Sequence, residues 1–231
     1  MIEDTIKEIQ SNISKAASVS GRDEKDITLI AVSKTYSPEH IFPAVECGVC
    51  DLGENRVQEI MEKYEKIPNV RWHLIGHLQK NKVKYIIDKV HMIHSVDSYE
   101  LAQEINKRAE SIGKIQKILI QVSMVGEETK FGVDPNLCLD VINKISRLNN
   151  LKVCGIMTIP PIYSDPNDTR RLFKNCKKLF DEIKAINIEN VNFEHLSMGM
   201  SADYPMAIEE GATMVRLGRI IFGARDASPT K

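Results

Sequence analysis

In "LIAVSKTYS", residues 29–37, a lysine follows an apolar run. Residues 29–32 read as a buried strand, and Pro38 soon forces a change of course. Lysine is almost never buried without a partner, so Lys34 at a strand tip points to chemistry. In a partly desolvated setting beside other cations, a lysine pKa falls from about 10.4, and a neutral amine becomes available for Schiff-base formation. Two further segments suggest an anion site. "SMGMS" (197–201) is a small-residue loop leading into a helix that Ser201 or Asp203 could cap. "RLGR" (216–219) puts Gly218 at a strand-to-helix turn, where backbone N–H groups can face a phosphate.

These residues act together only if the fold brings them together. Short apolar runs at 28–33, 49–52, 71–75, 90–94, 115–122, 151–156, 191–196 and 212–216 predict strands. Amphipathic stretches at 38–47, 55–66, 78–88, 97–111, 135–148, 168–186 and 202–210 predict helices between them. A helix over 2–19 precedes the first strand, and a short one follows the last. Regular alternation implies a parallel sheet. Eight strands, each followed by a helix, predict an α/β fold: one (β/α)8 TIM barrel over residues 1–231 with an extra N-terminal helix. An open doubly wound sheet is the alternative, though no GxGxxG follows the first strand as a dinucleotide fold would require.

Active sites of such barrels lie at the C-terminal ends of the strands. Here strand one ends at Lys34, strand two at "GENR" (53–56) and strand three at "HLIGH" (73–77). Strand seven ends at "HLSMGMS" (195–201) and strand eight at "RLG" (216–218). A cap or a turn accounts for any one of these, but not for five together. Barrel closure sets strand eight beside strand one, so Lys34 meets the phosphate loops. A phosphosugar, as in a class I aldolase, and pyridoxal 5′-phosphate (PLP) both fit. Arg216 favours PLP, because a guanidinium cannot accept a proton and would leave the pyridine nitrogen unprotonated.

Other signals read as structural. Cys47 and Cys50 form a CxxC, but no partner motif follows, and Gly48 reads as a helix terminator. His73 and His77 are four apart on a strand-to-loop segment, where they share no face for a metal. "KNKVKY" (80–85) reads as a solvated helix face, and "GEETKFG" (126–132) as a polar loop whose Lys130 is solvated or a second amine for PLP. The 31 basic and 32 acidic residues give a net charge of −1, which offers no reason to expect nucleic acid or an anionic membrane. "MIEDTIKEIQSN" has no apolar core for a signal peptide. The five scattered cysteines, with no export signal, read as reduced, and the expected location is cytoplasmic.

The segments "AVSKTYSPEHI", "GENRVQE", "WHLIGHLQKNK", "EETKFG", "LSMGMSADY", "AIEEGATMVRLG" and "IFGAR" span residues 31–225. In them the sequence resembles the YggS/PROSC family of PLP-binding proteins, also called PLP homeostasis proteins. That family resembles the N-terminal barrel of alanine racemase, the fold-type III class of PLP enzymes. The resemblance implies that Lys34 forms the internal aldimine and that Arg216 faces the pyridine nitrogen. It also implies that Ser197, Ser201 and the backbone of Gly218 and Arg219 hold the phosphate, with Asn55 near the ring. Two positions depart from the pattern. Arg219 stands where the family usually has a small hydroxyl residue, and Leu52 where an aromatic often precedes GEN.

The expected function is therefore PLP homeostasis and delivery without robust turnover, with PLP-dependent apo-enzymes as transient partners. The alternative is a PLP-dependent amino-acid racemase. A racemase needs acid/base groups on both faces of the substrate. Lys34 serves one face, and in alanine racemase a tyrosine on a second, β-rich domain serves the other. This chain has no room for that domain after "IFGAR", which leaves Tyr36 and Tyr204 as candidates. Nothing in the sequence demands a dimer, and a monomer is expected.

Overall fold

The computed structural model describes residues 1–125, 131–161, 163 and 165–223. Its eight strands form a closed parallel barrel in chain order, β1 (Thr28–Val32), β2 (Asp51–Glu54), β3 (Arg71–Leu74), β4 (Val90–Val96), β5 (Gln116–Gln121), β6 (Leu151–Met157), β7 (Val191–Ser197) and β8 (Met214–Leu217). β8 closes onto β1 with Ile30 opposite Arg216 and Ala31 opposite Leu217. The helices are α1 (Ile2–Val19), α2 (Pro38–Glu46), α3 (Val57–Lys63), α4 (Tyr99–Glu110), α5 (Cys138–Ile145), α6 (Pro166–Ile186), α7 (Tyr204–Glu209) and α8 (Arg219–Phe222). The predicted (β/α)8 barrel is the observed fold.

Local chemistry sets the ends of these elements. α4 starts where Ser98 Oγ accepts the Leu101 N–H, and α6 where Asp165 accepts the Asn167 N–H with Pro166 in the first turn. α6 stops at Asn187, which adopts the left-handed conformation that asparagine tolerates. α1 buries the stripe Ile6, Ile9, Ile13, Ala16 and Ala17, and it packs on α7, α2 and α8. Arg22, just after α1, donates to the carbonyl oxygens of Ala212 and Ile208 and so ties the extra helix to the end of α7.

Two expectations change. β2 lies two residues later than the apolar run at 49–52 predicts, because its polar residues Asp51 and Glu54 are buried with partners. The segment expected as a helix over 78–88 is a 3₁₀ helix, Lys80–Tyr85. Within the 3₁₀ turns only Val83 is buried, and the other buried apolar residues of the segment, Leu78, Ile86 and Ile87, flank them.

The core has two parts. A large cluster lies between the sheet and the helices. A second cluster, Ile30, Met92, Leu119, Cys154, Met157 and Met214, alternates with it along the strands and fills the barrel lumen. Arg216 follows Met214 by two residues and His94 follows Met92 by two, so both share the lumen face. Above the apolar layer the lumen is therefore polar.

Candidate functional site

The turn after β1 carries Lys34, which is half-buried. Its neighbour Thr35 has φ 71°, a left-handed conformation that is strained for a β-branched residue. The strain is held from behind. Thr35 N–H donates to Glu59 Oε2 at 2.6 Å. Lys63 on α3 donates to Glu59 Oε2 at 3.3 Å, to Glu54 Oε1 at 2.8 Å and to the Ser33 carbonyl at 2.9 Å. Ser33 Oγ also donates to Glu54 Oε1, at 2.7 Å. This ion cluster locks the backbone on both sides of Lys34. Burial pushes the Glu54 carboxyl up to about 7, against the pull of the Lys63 ammonium and the Ser33 hydroxyl.

The loops after β7 and β8 adjoin that turn. A Cβ on Gly218 would lie 3.1 Å from the Val32 carbonyl oxygen, so the two strand ends touch. Arg216 N–H donates to the Gly199 carbonyl at 3.1 Å, and Ile220 N–H to Ser201 Oγ at 3.4 Å. Gly199 has φ +91°, and a Cβ there would meet Ala207 at 2.5 Å, so only glycine lets the loop lie against α7. Asp203 does not cap α7; its carboxylate accepts the Met200 N–H at 2.6 Å inside the loop. Ser201 is half-buried and Arg219 is exposed. Asn55, half-buried after β2, is approached by the β3 loop: a Cβ on Gly76 would lie 2.3 Å from the Asn55 carbonyl oxygen.

Beneath these loops lies a buried polar network that the sequence did not reveal. Arg216 Nη1 donates to Ser197 Oγ at 2.7 Å, and Nη2 donates to the Thr158 carbonyl at 2.9 Å. His94 Nδ1 lies 3.1 Å from Ser197 Oγ, and His94 Nε2 lies 2.9 Å from His73 Nδ1. His73 Nε2 lies 2.8 Å from Asp51 Oδ1. Arg71, half-exposed, binds both Asp51 oxygens at 2.7 and 2.6 Å. Burial pushes the Asp51 carboxyl up, but hydrogen bonds from His73 and Arg71 outweigh it and hold it at about 2. Burial, with His73 and Arg216 nearby, drives His94 well below the usual histidine range, so its ring is neutral. Burial also lowers Arg216, to about 10, which still leaves it cationic at neutral pH.

Lys34, Ser197, Ser201, Arg216, Gly218 and Arg219 thus lie on the neighbouring ends of β1, β7 and β8, with Asn55 on the adjacent β2. Ser197 is engaged with Arg216 and His94 inside the lumen. His73 and His77 diverge: His73 is in the lumen, while His77 stacks on Phe131 with ring centres 3.7 Å apart and pairs with Asp97 at 3.3 Å. Lys130 lies outside the described residues. Tyr36 donates its hydroxyl to the Gly223 carbonyl at 2.8 Å and stacks on His40. Tyr204 OH accepts from Asn12 on α1 at 3.2 Å. Among the described residues no group of three or more His, Cys, Asp or Glu could hold a metal ion, and no helix is long and apolar enough to cross a membrane.

The family model "Alanine racemase, N-terminal domain" matches residues 5–226. The pyridoxal phosphate homeostasis protein of Aquifex aeolicus is 46% identical over 222 residues, 95% of this chain and 96% of its own. PipY of Synechococcus elongatus PCC7942, solved with PLP bound, is 31% identical with a TM-score of 0.86, covering 96% of this chain and 100% of that one. The alanine racemase of Clostridium difficile 630 shares the fold, with a TM-score of 0.73 and 21% identity over 94% of this chain and 58% of its own.

Proposed function

This chain belongs to the alanine racemase N-terminal-domain family, and within it to the pyridoxal phosphate homeostasis proteins, and from that premise we propose that it binds PLP and passes it on to apo-enzymes. One observation carries the reading. Closure of β8 onto β1 sets the Lys34 turn against the Gly218 turn, which joins an amine to a candidate anion site across more than 180 residues of sequence. The donor set fits the group. PLP, when bound, supplies an aldehyde that condenses with a primary amine, a ring nitrogen and a phosphate dianion. Lys34 is the amine, on a turn held by the Glu59–Lys63–Glu54 cluster. Arg216 meets the ring nitrogen as a cation that cannot take up a proton. Ser201 and the backbone amides of Gly218 and Arg219, at the turn into α8, hold the phosphate. Asn55 lies beside the ring.

A racemase is the second reading, and the tyrosines argue against it. Their hydroxyls are engaged, Tyr36 with the Gly223 carbonyl and Tyr204 with Asn12. The test is to load purified protein with PLP, reduce it with borohydride and map the peptides. The pyridoxyl group should be on Lys34, and Lys34→Ala should lose the visible absorption band while keeping its helical circular dichroism. A label carried mainly by another lysine overturns the assignment.

A further inference from the structure

The lumen network is continuous from Asp51 to Arg216, and that continuity assigns it a role. An ionised carboxylate only accepts hydrogen bonds, so at Asp51 the donor is His73 Nε2–H. His73 Nδ1 and His94 Nε2 share the next hydrogen bond, at 2.9 Å. His94 Nδ1 and Ser197 Oγ share the one after it, at 3.1 Å. Ser197 Oγ accepts from Arg216 Nη1 at 2.7 Å. The bonds thus join Asp51 to Arg216 in series, and in a buried chain each bond polarises the next. The members come from β2, β3, β4, β7 and β8, all are buried, and the chain crosses the lumen from the first residue of β2 to the guanidinium.

We infer that Asp51, His73, His94 and Ser197 are positioning residues for Arg216, forming one continuous hydrogen-bond chain that fixes the guanidinium facing the ring nitrogen of PLP. The inference rests on the proposed PLP site and deepens it. Thr158 holds the second arm of the guanidinium through its carbonyl, so two anchors set the plane of the group. The chain supplies the anchor that responds to substitution, because Thr158 contributes backbone only. A second consequence follows for the phosphate. Ser197 Oγ is engaged by Arg216 and His94 inside the lumen, so Ser201 is the loop hydroxyl that serves the phosphate.

The test compares purified wild type, Asp51→Asn, His94→Leu, His94→Gln and the double variant Asp51→Asn/His94→Leu. PLP affinity is read by equilibrium titration, together with the wavelength of the visible band. One net hydrogen bond corresponds to about two- to tenfold in affinity. Asp51→Asn and His94→Leu should each weaken PLP by about that factor and shift the band. His94→Gln, which can still accept and donate, should recover most of the loss. The double variant should bind no worse than His94→Leu, because a chain cut at His94 no longer connects Asp51 to Arg216. If Asp51→Asn cannot be purified, the His94→Leu and His94→Gln pair decides. Wild-type affinity and band in the single variants, multiplying losses in the double variant, or equal losses for Leu and Gln would each overturn the chain. A wild type that fails to bind PLP would instead overturn the function itself.

Discussion

Asp51→Asn should destabilise the apo-protein in a way that depends on pH. The Asp51 carboxyl, ordinarily near 3.8, is held at about 2. At about 1.4 kcal/mol per pH unit, that depression is worth about 2.5 kcal/mol of folding stability. The folded-state pKa is lowered, so the contribution is complete above the unfolded value of 3.8 and is lost as pH falls through about 2. Asparagine keeps the volume and one acceptor for His73 but removes the charge. Urea unfolding at pH 7 and pH 5 should therefore separate wild type from variant by about 2–3 kcal/mol. By pH 3 linkage leaves about half of that. Arg71 is half-exposed, so its own loss of a partner adds little. A separation that is the same at pH 3 as at pH 7, or absent at pH 7, would refute the account of Asp51 as the charged end of the network.

Arg219→Ala should change PLP affinity by less than tenfold, because the side chain is exposed and the phosphate is assigned to Ser201 and backbone amides. A direct charge-assisted contact would cost about 1.5–3 kcal/mol and would appear as a larger loss in the same titration. Lys63→Met should cost about 3–5 kcal/mol in urea unfolding, since it leaves Glu54 buried without a counter-charge. The same variant should bind PLP more weakly, because the Thr35 turn beside Lys34 loses its support. Holo-protein incubated with L-alanine in D2O should show no deuterium at Cα at rates near the roughly 1–10³ per second of enzymes. Turnover in that range would favour the racemase.

The barrel was legible because its strands are apolar on both faces and its helices carry apolar stripes. The frame failed where burial and polarity coincide. β2 is Asp-Leu-Gly-Glu, and only the partners of Asp51 and Glu54, supplied by β3, β1 and α3, make it a buried strand. Lys34, "SMGMS" and "RLG" stood out because polar residues at apolar strand tips need a reason. The lumen network gave no such signal. Its links join residues 22, 21, 103 and 19 apart in sequence, and no periodicity connects such separations. His73 and His94 sit within apolar runs, where a histidine reads as packing. Glu59 and Lys63, four apart on a helix, were within reach as an ordinary surface pair. Their burial against the Lys34 turn follows from tertiary structure alone.

On the proposed PLP site, the two polar clusters divide the work around one ligand. The Glu54–Glu59–Lys63 group fixes the backbone that presents Lys34, and it lies between strand tips and α3. The Asp51–His73–His94–Ser197 group fixes Arg216 from inside the lumen. In the lumen, hydrogen bonds hold Asp51 ionised and burial holds His94 neutral at neutral pH, whereas in the other cluster burial raises the Glu54 carboxyl to about 7. On the proposed site, the Arg216 guanidinium would keep the ring nitrogen unprotonated, so the ring would withdraw electrons weakly. Loss of one positioned proton-transfer group costs a further factor of about 10² to 10⁴ in a reaction that needs two. The tyrosine hydroxyls that could supply the second are engaged with Gly223 and Asn12. On the proposed site, rigid anchoring of the amine and the ring, with both candidate tyrosines engaged elsewhere, would suit holding PLP and releasing it to another protein better than turning over an amino acid on it.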